Sequence, residues 1–250
     1  MNTGSAGIAE VFSSIQGEGP FVGFRQIFIR FFPCNLLCSY CDTPGKNADH
    51  DLCCIEKTPG KKDFFSMPDR VSVDHLLEIV DGLDLFSGLH HSISLTGGEP
   101  LLQADFLENW LPPAKKKFRI YLETNGSLTD QLLKVIDHID IISMDIKLPE
   151  TAGIQSLWEA HSSFLEISSA KDVFVKVVVS GRTPDNEFAG AINLVAQIDN
   201  KIPFVIQPVT GVTKSEEISS DRLIDLQRKA SLSLTNVRVI PQTHKILGIL

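Results

Sequence analysis

Short apolar runs alternate with longer amphipathic stretches along most of the chain. The runs are rich in β-branched residues and lie at residues 27–32, 92–96, 119–123, 139–145, 173–179, 204–207 and 237–240. Runs of this length are typical of parallel strands that are buried on both faces. Stretches with helical spacing lie at residues 73–83, 104–110, 129–137, 154–168, 187–199 and 219–233. The pattern therefore predicts alternating strands and helices.

This alternation predicts βαβ units and a parallel sheet, which places the chain in the α/β class. Six or seven units are too few for a closed eight-fold barrel, so we expect an open, partial (β/α) barrel with about six or seven parallel strands. We expect residues 1–250 to form a single domain.

The segment 45–70 interrupts the pattern. It is polar, rich in Lys, Asp, Pro and Gly, and has weak periodicity. Long segments of this kind are often functional, so we interpret it as an insertion or a lid loop. It contains Cys53 and Cys54, which we interpret as free thiols, since adjacent cysteines are poorly placed to bind one cluster.

Polar or glycine-rich residues follow four of the predicted strands. These are Thr-Gly-Gly-Glu at 96–99, Glu-Thr-Asn-Gly at 123–126, Asp-Ile-Lys at 145–147 and Gln-Pro at 207–208. In barrels of this kind the ligand site lies at the carboxyl ends of the strands. We therefore expect these four segments to share one site.

Charge and composition narrow the class of function. The net charge is −8, so a nucleic-acid partner is not expected, and the basic run at 115–117 is interpreted as a solvated helix end or strand start. No run reaches the roughly 18 apolar residues of a membrane span. Residues 1–10 lack the features of a signal peptide, so we expect a cytoplasmic protein in which clustered cysteines act as ligands and not as disulfides.

Three cysteines stand close together directly after the first apolar run. Cys34, Cys38 and Cys41 form a C-x3-C-x2-C motif. Iron–sulfur clusters are normally held by four cysteine thiolates, so three predict a [4Fe–4S] cluster with one open iron. An open coordination position is what a reactive metal centre requires.

The same cysteines also allow a zinc site. Residue 50, 53 or 54 would supply the fourth ligand, and the protein would then be a zinc-stabilised, non-enzymatic binding domain. Zinc motifs usually come as two C-x2-C pairs or with histidines at fixed spacing, which this chain lacks.

The motif together with Gly-Gly-Glu-Pro at 97–100 resembles the radical S-adenosylmethionine (SAM) superfamily. The resemblance implies that the open iron chelates the amino and carboxylate groups of SAM. Electron transfer from the cluster then produces a 5′-deoxyadenosyl radical. It also implies that the glycine turn contacts the methionine amino group, whose charge Glu99 would offset.

Further motifs resemble the 7-carboxy-7-deazaguanine synthase family within that superfamily. They are residues 12–20, with Gln-Gly-Glu-Gly at 16–19, Arg30 inside the first apolar run, Cys-Asp-Thr at 41–43 and Pro-Gln-Thr-His-Lys at 241–245. The resemblance implies that the radical takes hydrogen from C6 of 6-carboxy-5,6,7,8-tetrahydropterin. The ring then contracts, ammonia leaves and 7-carboxy-7-deazaguanine forms with the help of Mg²⁺, as a step in queuosine and deazapurine biosynthesis.

The resemblance also implies roles for individual residues. The substrate contacts would be Ile15, Gln16, Gly17, Glu18, Arg30, Thr96, His244 and Leu250. The SAM contacts would be Tyr40, Cys41, Asp42, Gly98, Glu99, Glu123, Asp145, Ile146, Lys147, Gln207, Pro208, Val209 and Thr210. Thr43 would bind Mg²⁺, and Glu123 either meets the ribose or caps the following segment. No separate catalytic residue is assigned.

The nearest alternative enzyme is a glycyl-radical activating enzyme, which shares the cysteine motif and the glycine turn but acts on a protein. The Gln16–Gly19 segment and Arg30 favour the pterin acid instead. Family resemblance further implies a homodimer and an electron donor such as flavodoxin or ferredoxin.

Overall fold

The computed structural model describes residues 4–41, 43, 51–86, 88–210 and 217–250. Its strands are β1 (Ser5–Ile15), β2 (Arg25–Phe31), β3 (Leu52–Glu56), β4 (Phe64–Pro68), β5 (Arg70–Ser72), β6 (Ser92–Gly97), β7 (Ile120–Thr124), β8 (Ile141–Asp145), β9 (Asp172–Val179), β10 (Phe204–Pro208) and β11 (Val237–Val239). Its helices are α1 (Val73–Leu83), α2 (Ala104–Lys115), α3 (Thr129–Val135), α4 (Pro149–Ala152), α5 (Trp158–Ser168), α6 (Asp185–Ile198), α7 (Ser220–Ser231) and α8 (Thr243–Leu247).

One sheet contains all the described strands, in the order β11-β10-β9-β8-β7-β6-β2-β1-β3-β4, with β5 paired to β1. From β11 through β2 in this order, each strand is parallel to the next. Strands β4 and β11 lie at opposite ends of this order, so the described sheet is open. The predicted open α/β sheet is confirmed, but the strand count is higher than expected.

The additional strands lie beyond β2. Strand β1 pairs antiparallel with β2, with Val11 opposite Ile29, and parallel with β3. Its sequence, Ser-Ala-Gly-Ile-Ala-Glu-Val-Phe-Ser-Ser-Ile, contains small and polar residues and has no long apolar run. It forms a strand because β2 and β3 supply its backbone hydrogen bonds, which the sequence pattern alone does not show.

The described part of the predicted lid segment is a β-hairpin. Strand β3 pairs antiparallel with β4 and parallel with β1, so residues 52–68 extend the sheet at its edge and are not a structureless loop. Cys53 points into the core and is fully buried, while Cys54 is half-buried. Residues 44–50 lie outside the described residues.

Most helices fall where the spacing predicts them, and α1 begins with the Ser72 side chain accepting a hydrogen bond from the His75 amide. Helix α2 runs further than predicted, through Pro112 and Pro113, because buried Leu111 and Ala114 anchor its last turn. Helix α5 begins at Trp158 and not at residue 154, because α4 first ends at a left-handed Gly153. Within the described residues, no helix is long and apolar enough to cross a membrane.

The core lies between the outer face of the sheet and the helices. Its largest buried side chains include Trp110, Phe164, Phe188 and Leu76, which project from four of the helices onto the strands. A second, smaller cluster fills the inner face at the amino ends of the strands. It consists of Tyr121, Ile141, Phe174 and Val205. This arrangement leaves the carboxyl ends of the strands open on the inner face.

Candidate active site

A pocket of about 340 Å³ opens at the carboxyl ends of the parallel strands. Its floor is formed by alternate residues of the strands, because every second side chain of a strand points to the same face of the sheet. On β7, Tyr121 belongs to the apolar inner cluster, and two residues later Glu123 lines the pocket. On β9, Phe174 and Lys176 repeat this change from apolar to polar. The inner face of the sheet is therefore apolar at the amino ends of the strands and polar at their carboxyl ends.

The cysteine loop forms one wall of this pocket. Cys34 and Cys38 are half-buried, Cys41 is exposed, and all three line the pocket. The loop is tied to its surroundings by hydrogen bonds from the Ser39 amide to the Ala152 carbonyl (2.8 Å) and from Asn125 Nδ2 to Asn35 Oδ1 (2.9 Å). The three thiols thus share one wall that opens onto the pocket.

The glycine turn packs directly beneath the start of the cysteine loop. The Gly98 amide donates to the Phe31 carbonyl (2.8 Å), and the Glu99 amide donates to the Pro33 carbonyl (3.1 Å). Gly97 has a φ of +112°, and a Cβ at either glycine would collide with this backbone. Glycine is required here because the two backbones lie in contact.

Glu99 lies beneath the pocket and does not line it. Its buried carboxylate accepts hydrogen bonds from the Leu101 amide (3.1 Å), Thr124 Oγ1 (2.9 Å) and the Asn125 amide (2.8 Å). Burial raises its pKa to about 7. These bonds join the ends of β6 and β7, so Glu99 positions the glycine turn. Each oxygen of this carboxylate thus accepts from a neighbouring protein group, and the expectation that Glu99 offsets the charge of a ligand ammonium stays a prediction.

Glu123 lies among the predicted substrate residues. Its Oε1 accepts from Gln16 Nε2 (2.9 Å), and its Oε2 accepts from Thr96 Oγ1 (2.6 Å). Burial raises the pKa of Glu123. Gln16 also donates to Gln26 Oε1 (2.9 Å), which fixes the amide orientation. This network points three polar side chains into one part of the pocket.

A row of alternating charges crosses the pocket floor. The Lys176 ammonium contacts the Glu18 carboxylate and lies 3.2 Å from Asp145 Oδ1, while Asp145 Oδ2 lies 2.7 Å from Lys147 Nζ. Lys147 Nζ is in turn 5.6 Å from the centre of the Tyr40 ring. Burial opposes charge at each group, but the opposite charges beside it prevail. They lower the pKa of Glu18 and Asp145 and raise that of Lys147 and Lys176.

Arg30 reaches the pocket from β2. Its Nε donates to Glu10 Oε2 (2.9 Å), and its guanidinium carbon lies 5.7 Å from the centre of the Phe12 ring. Glu10 and Phe12 both belong to β1, so the antiparallel β1–β2 pair orients the guanidinium. None of the described side chains bonds the two Nη atoms, so within the described residues they can still accept a further partner.

The carboxyl-terminal segment covers the opposite wall. The Thr243 amide donates to the Gly17 carbonyl (2.9 Å), and a Cβ on Gly17 would meet the His244 ring. Beyond α8, the Leu250 carbonyl accepts from Ser14 Oγ (2.8 Å). The segment is therefore fastened to the turn that follows β1.

The structure brings most of the predicted site residues together. Those that line the pocket are Ile15, Gln16, Gly17, Glu18, Arg30, Cys34, Cys38, Tyr40, Cys41, Thr43, Thr96, Gly98, Glu123, Asp145, Lys147, Gln207, Val209, His244 and Leu250. Those that do not are Glu99, Ile146, Pro208 and Thr210, since Ile146 is buried and Thr210 is exposed. Asp42 lies outside the described residues.

Several residues that line the pocket had no individual role predicted from the sequence, notably Lys176, Asn125 and Gln242. Gln242 Nε2 donates to Glu18 Oε1 (2.7 Å), so it fixes the other oxygen of that carboxylate. One signal was available for Lys176, because it is the one cation inside an otherwise apolar run at 173–179. A lone charge in a buried strand indicates a specific partner.

Comparison with known proteins identifies the family. The model of the radical SAM superfamily matches residues 30–162. A 7-carboxy-7-deazaguanine synthase from Geobacter sulfurreducens is 45% identical over 249 residues, which cover 99% of each chain. A second synthase of that name, from Methanothermobacter thermautotrophicus, is 36% identical with 98% of each chain covered.

This chain belongs to the 7-carboxy-7-deazaguanine synthase family. QueE from Escherichia coli shares the fold, with a TM-score of 0.59 at 19% identity over 95% of this chain and 94% of the other. Family membership confirms the resemblance to radical SAM enzymes. It excludes the alternative hypothesis of a zinc-stabilised binding domain. It also sets aside the glycyl-radical activating enzyme, because the relatives carry a different name.

Radical SAM enzymes hold a [4Fe–4S] cluster and use SAM, and this pocket fits both groups. Thiolates are the normal ligands of such clusters, and Cys34, Cys38 and Cys41 present three of them on one wall. SAM carries both positive and negative groups, and the Asp145–Lys147 pair beside the cysteine loop offers both charges. The donor set therefore suits a cluster with SAM beside it.

Proposed function

We propose that this protein converts 6-carboxy-5,6,7,8-tetrahydropterin into 7-carboxy-7-deazaguanine with release of ammonia, as a step in queuosine and deazapurine biosynthesis. One observation carries the proposal. One pocket is lined by Arg30, by a network of amide and carboxylate side chains and by the three cysteines. The names of the full-length relatives support it.

The pocket divides into two halves with different chemistry. The half beside the cysteine loop contains Tyr40, Gly98, Asp145 and Lys147 and suits SAM, which supplies the 5′-deoxyadenosyl radical when it is bound to the cluster. The other half contains polar groups from the strand ends and from the turn after β1. These residues would hold the cofactor in one half and the substrate in the other.

The second half matches a pterin acid group by group. A pterin presents neighbouring N–H donors on its edge, and the carboxylates of Glu18 and Glu123 are oriented acceptors for them. Gln16 holds Glu123 in place and adds an amide of its own. The two Nη atoms of Arg30, which none of the described side chains bonds, suit the carboxylate on C6, because a guanidinium fork binds a carboxylate with two parallel hydrogen bonds.

Closure of the pocket protects the radical from solvent. Ile249 and Leu250 line the pocket beside His244, and Ser14 holds the last residue in place. Excluding water from a reactive intermediate prevents side reactions. We infer that Ile249 and Leu250 contribute this cover.

We also propose that Thr43 binds Mg²⁺ together with the substrate carboxylate. Its hydroxyl lines the pocket and donates to the Gly97 carbonyl at a long 3.4 Å. Mg²⁺ prefers hard oxygen ligands and retains water and substrate oxygens in its shell. Thr43 thus offers a hydroxyl oxygen near the position expected for the carboxylate.

An anaerobic turnover assay tests the function. Reconstituted protein receives dithionite, SAM, Mg²⁺ and 6-carboxytetrahydropterin, and the deazaguanine acid is measured by absorbance and mass. We expect product to form, and we expect its rate to fall when Mg²⁺ is removed by a chelator. Formation of 5′-deoxyadenosine without the acid product would contradict the substrate assignment, and a protein without about four irons per chain would contradict the cluster.

Family resemblance supports three further proposals, namely a homodimer, a flavodoxin or ferredoxin as electron donor, and a cytoplasmic location. Sedimentation of the reconstituted protein tests the first. Replacement of dithionite by a reduced flavodoxin or ferredoxin in the turnover assay tests the second.

A further inference from the structure

Lys176 occupies an unusual position for a lysine. It lies in the middle of β9 among valines, and its side chain is only 9% exposed. A buried ion pair is weak evidence of a stabilising role, because an apolar side chain of similar size often serves the fold equally well. Its surroundings are therefore more informative than its burial.

The two carboxylates that Lys176 contacts belong to different halves of the pocket. Glu18 lies on the turn after β1, where its amide donates to Gln16 Oε1 (2.9 Å) on the pterin side. Asp145 ends β8 and pairs with Lys147 on the SAM side. Lys176 thus connects residues that would contact different ligands.

The two connections differ in rigidity. Asp145 stands opposite Lys176 in the β8–β9 ladder, and the Ile146 amide donates to the Lys176 carbonyl (2.9 Å), so this pair is fixed by backbone bonds. Glu18 belongs to a loop and is held by side-chain contacts from Lys176 and Gln242. A change in the contacts of Lys176 therefore acts mainly on the Glu18 carboxylate, because backbone bonds from the Gln16 amide to the Phe24 carbonyl and from the Thr243 amide to the Gly17 carbonyl hold the turn itself.

We propose that Lys176 is a positioning residue that couples the SAM half of the pocket to the pterin half. The inference rests on the proposed function, since it requires a pterin acid beside Glu18. A ligand with net positive charge that binds beside Asp145 competes with Lys176 for that carboxylate. The ammonium then pairs more strongly with Glu18 and fixes the carboxylate of Glu18 on the pterin side.

Coupling of this kind is reciprocal, so each ligand strengthens the binding of the other by the same factor. The coupling is expected to be positive because of the charges. A cation near Asp145 and an ordered Glu18 both favour a position of the Lys176 ammonium close to Glu18. Without a charge at position 176 the two halves are expected to bind their ligands independently.

The experiment measures SAM binding to the cluster-loaded protein by anaerobic calorimetry, with and without 6-carboxypterin. This oxidised acid lacks the hydrogen at C6 and is not turned over. The variants are Lys176→Met, which removes the charge, Lys176→Gln as a second neutral variant, and Lys176→Arg, which restores the charge. Lys115→Met is the matched control, because Lys115 forms a half-buried ion pair with Asp140 away from the pocket.

We expect 6-carboxypterin to tighten SAM binding at least about fivefold in the wild-type protein and in Lys115→Met, which is the lower range of typical coupling. We expect the ratio to approach one in Lys176→Met and Lys176→Gln and to recover in Lys176→Arg. Circular dichroism and iron content identify any variant that does not fold. If one neutral variant does not fold, the coupling ratio is taken from the other neutral variant.

The outcomes separate the two proposals. Wild-type coupling that persists in a folded neutral variant overturns the role of Lys176 while the proposed function stands. A wild-type protein that makes product but shows no coupling also overturns it. A wild-type protein that neither binds 6-carboxypterin nor makes product overturns the proposed function, and the inference falls with it.

Discussion

Arg30 offers a direct test of how the substrate carboxylate is recognised. Its Nε is bound to Glu10, and its side chain is 23% exposed, so the guanidinium is held but remains accessible from the pocket. Replacement by lysine keeps the charge but removes the fork, and replacement by alanine removes both. The two variants therefore separate the contribution of geometry from that of charge.

The magnitude follows from the number of hydrogen bonds lost. Hydrogen bonds to charged groups contribute about 1.5–3 kcal/mol each. Lysine retains one of the two bonds from the Nη atoms, so Arg30→Lys is expected to raise KM by roughly 10- to 150-fold, since about 1.4 kcal/mol is a factor of ten. Arg30→Ala is expected to raise KM at least about 100-fold, because both bonds and the charge are lost.

The assay is the anaerobic turnover reaction at varied pterin concentration, accompanied by iron content and by SAM binding measured alone. Glu10→Gln is the companion variant, since it weakens only the support of Nε. That pair is partly exposed, so we expect a loss of about 0.2–1 kcal/mol and a rise in KM of a few fold at most. Iron content and SAM binding should stay at wild-type values in all three variants.

Two results would refute this reasoning. An unchanged KM in both Arg30 variants would mean that the guanidinium does not bind the carboxylate. Loss of iron in Arg30→Ala would mean that Arg30 supports the cysteine loop that begins four residues later.

Two further predictions concern stability and the carboxyl-terminal wall. Burial lowers the pKa of His161 to about 4, so the unfolded chain takes up a proton near pH 6.5 that the native protein accepts only near pH 4. Stability is therefore lost as the pH falls through this window, by about 3 kcal/mol. His161→Gln keeps a donor for the Asn125 carbonyl and should flatten this slope in urea unfolding between pH 7 and 4.5; equal slopes in both proteins would contradict the assignment. Gly17→Ala should collide with the His244 ring, raise KM and lower the melting temperature, whereas Gly82→Ala in α1, where a Cβ meets nothing, should do neither.

Local pattern was sufficient for much of the fold. Helix α1 has the bounds that its spacing predicts, and the seven apolar runs all form strands. Apolar runs and helical spacing are properties of neighbouring residues, so they are readable without the tertiary structure. Strands β1, β3 and β4 were missed because their polar or mixed sequences form strands only through their partners.

For the site, the sequence predicted many of the residues that line the pocket but not the contacts between them. Motif resemblance grouped Arg30, Gln16 and Thr96 in one site, and in the structure all three line one pocket. It did not predict the protein contacts of Glu99 and Glu123, which are the Asn125 amide for Glu99 and the Gln16 and Thr96 side chains for Glu123. The side of a strand end that a carboxylate faces depends on its neighbours across the sheet.

The sequence by itself predicted a shared metal centre, because the three cysteines lie within eight residues, and the resemblance of this motif and the glycine turn to a known family predicted a [4Fe–4S] cluster over zinc. It also determined the alternating strands and helices that bring the strand ends together. Only the tertiary structure decided the charge pattern of the pocket. Lys176 and Glu18 are 158 residues apart in sequence, and they meet because the open sheet places β9 beside the turn that follows β1.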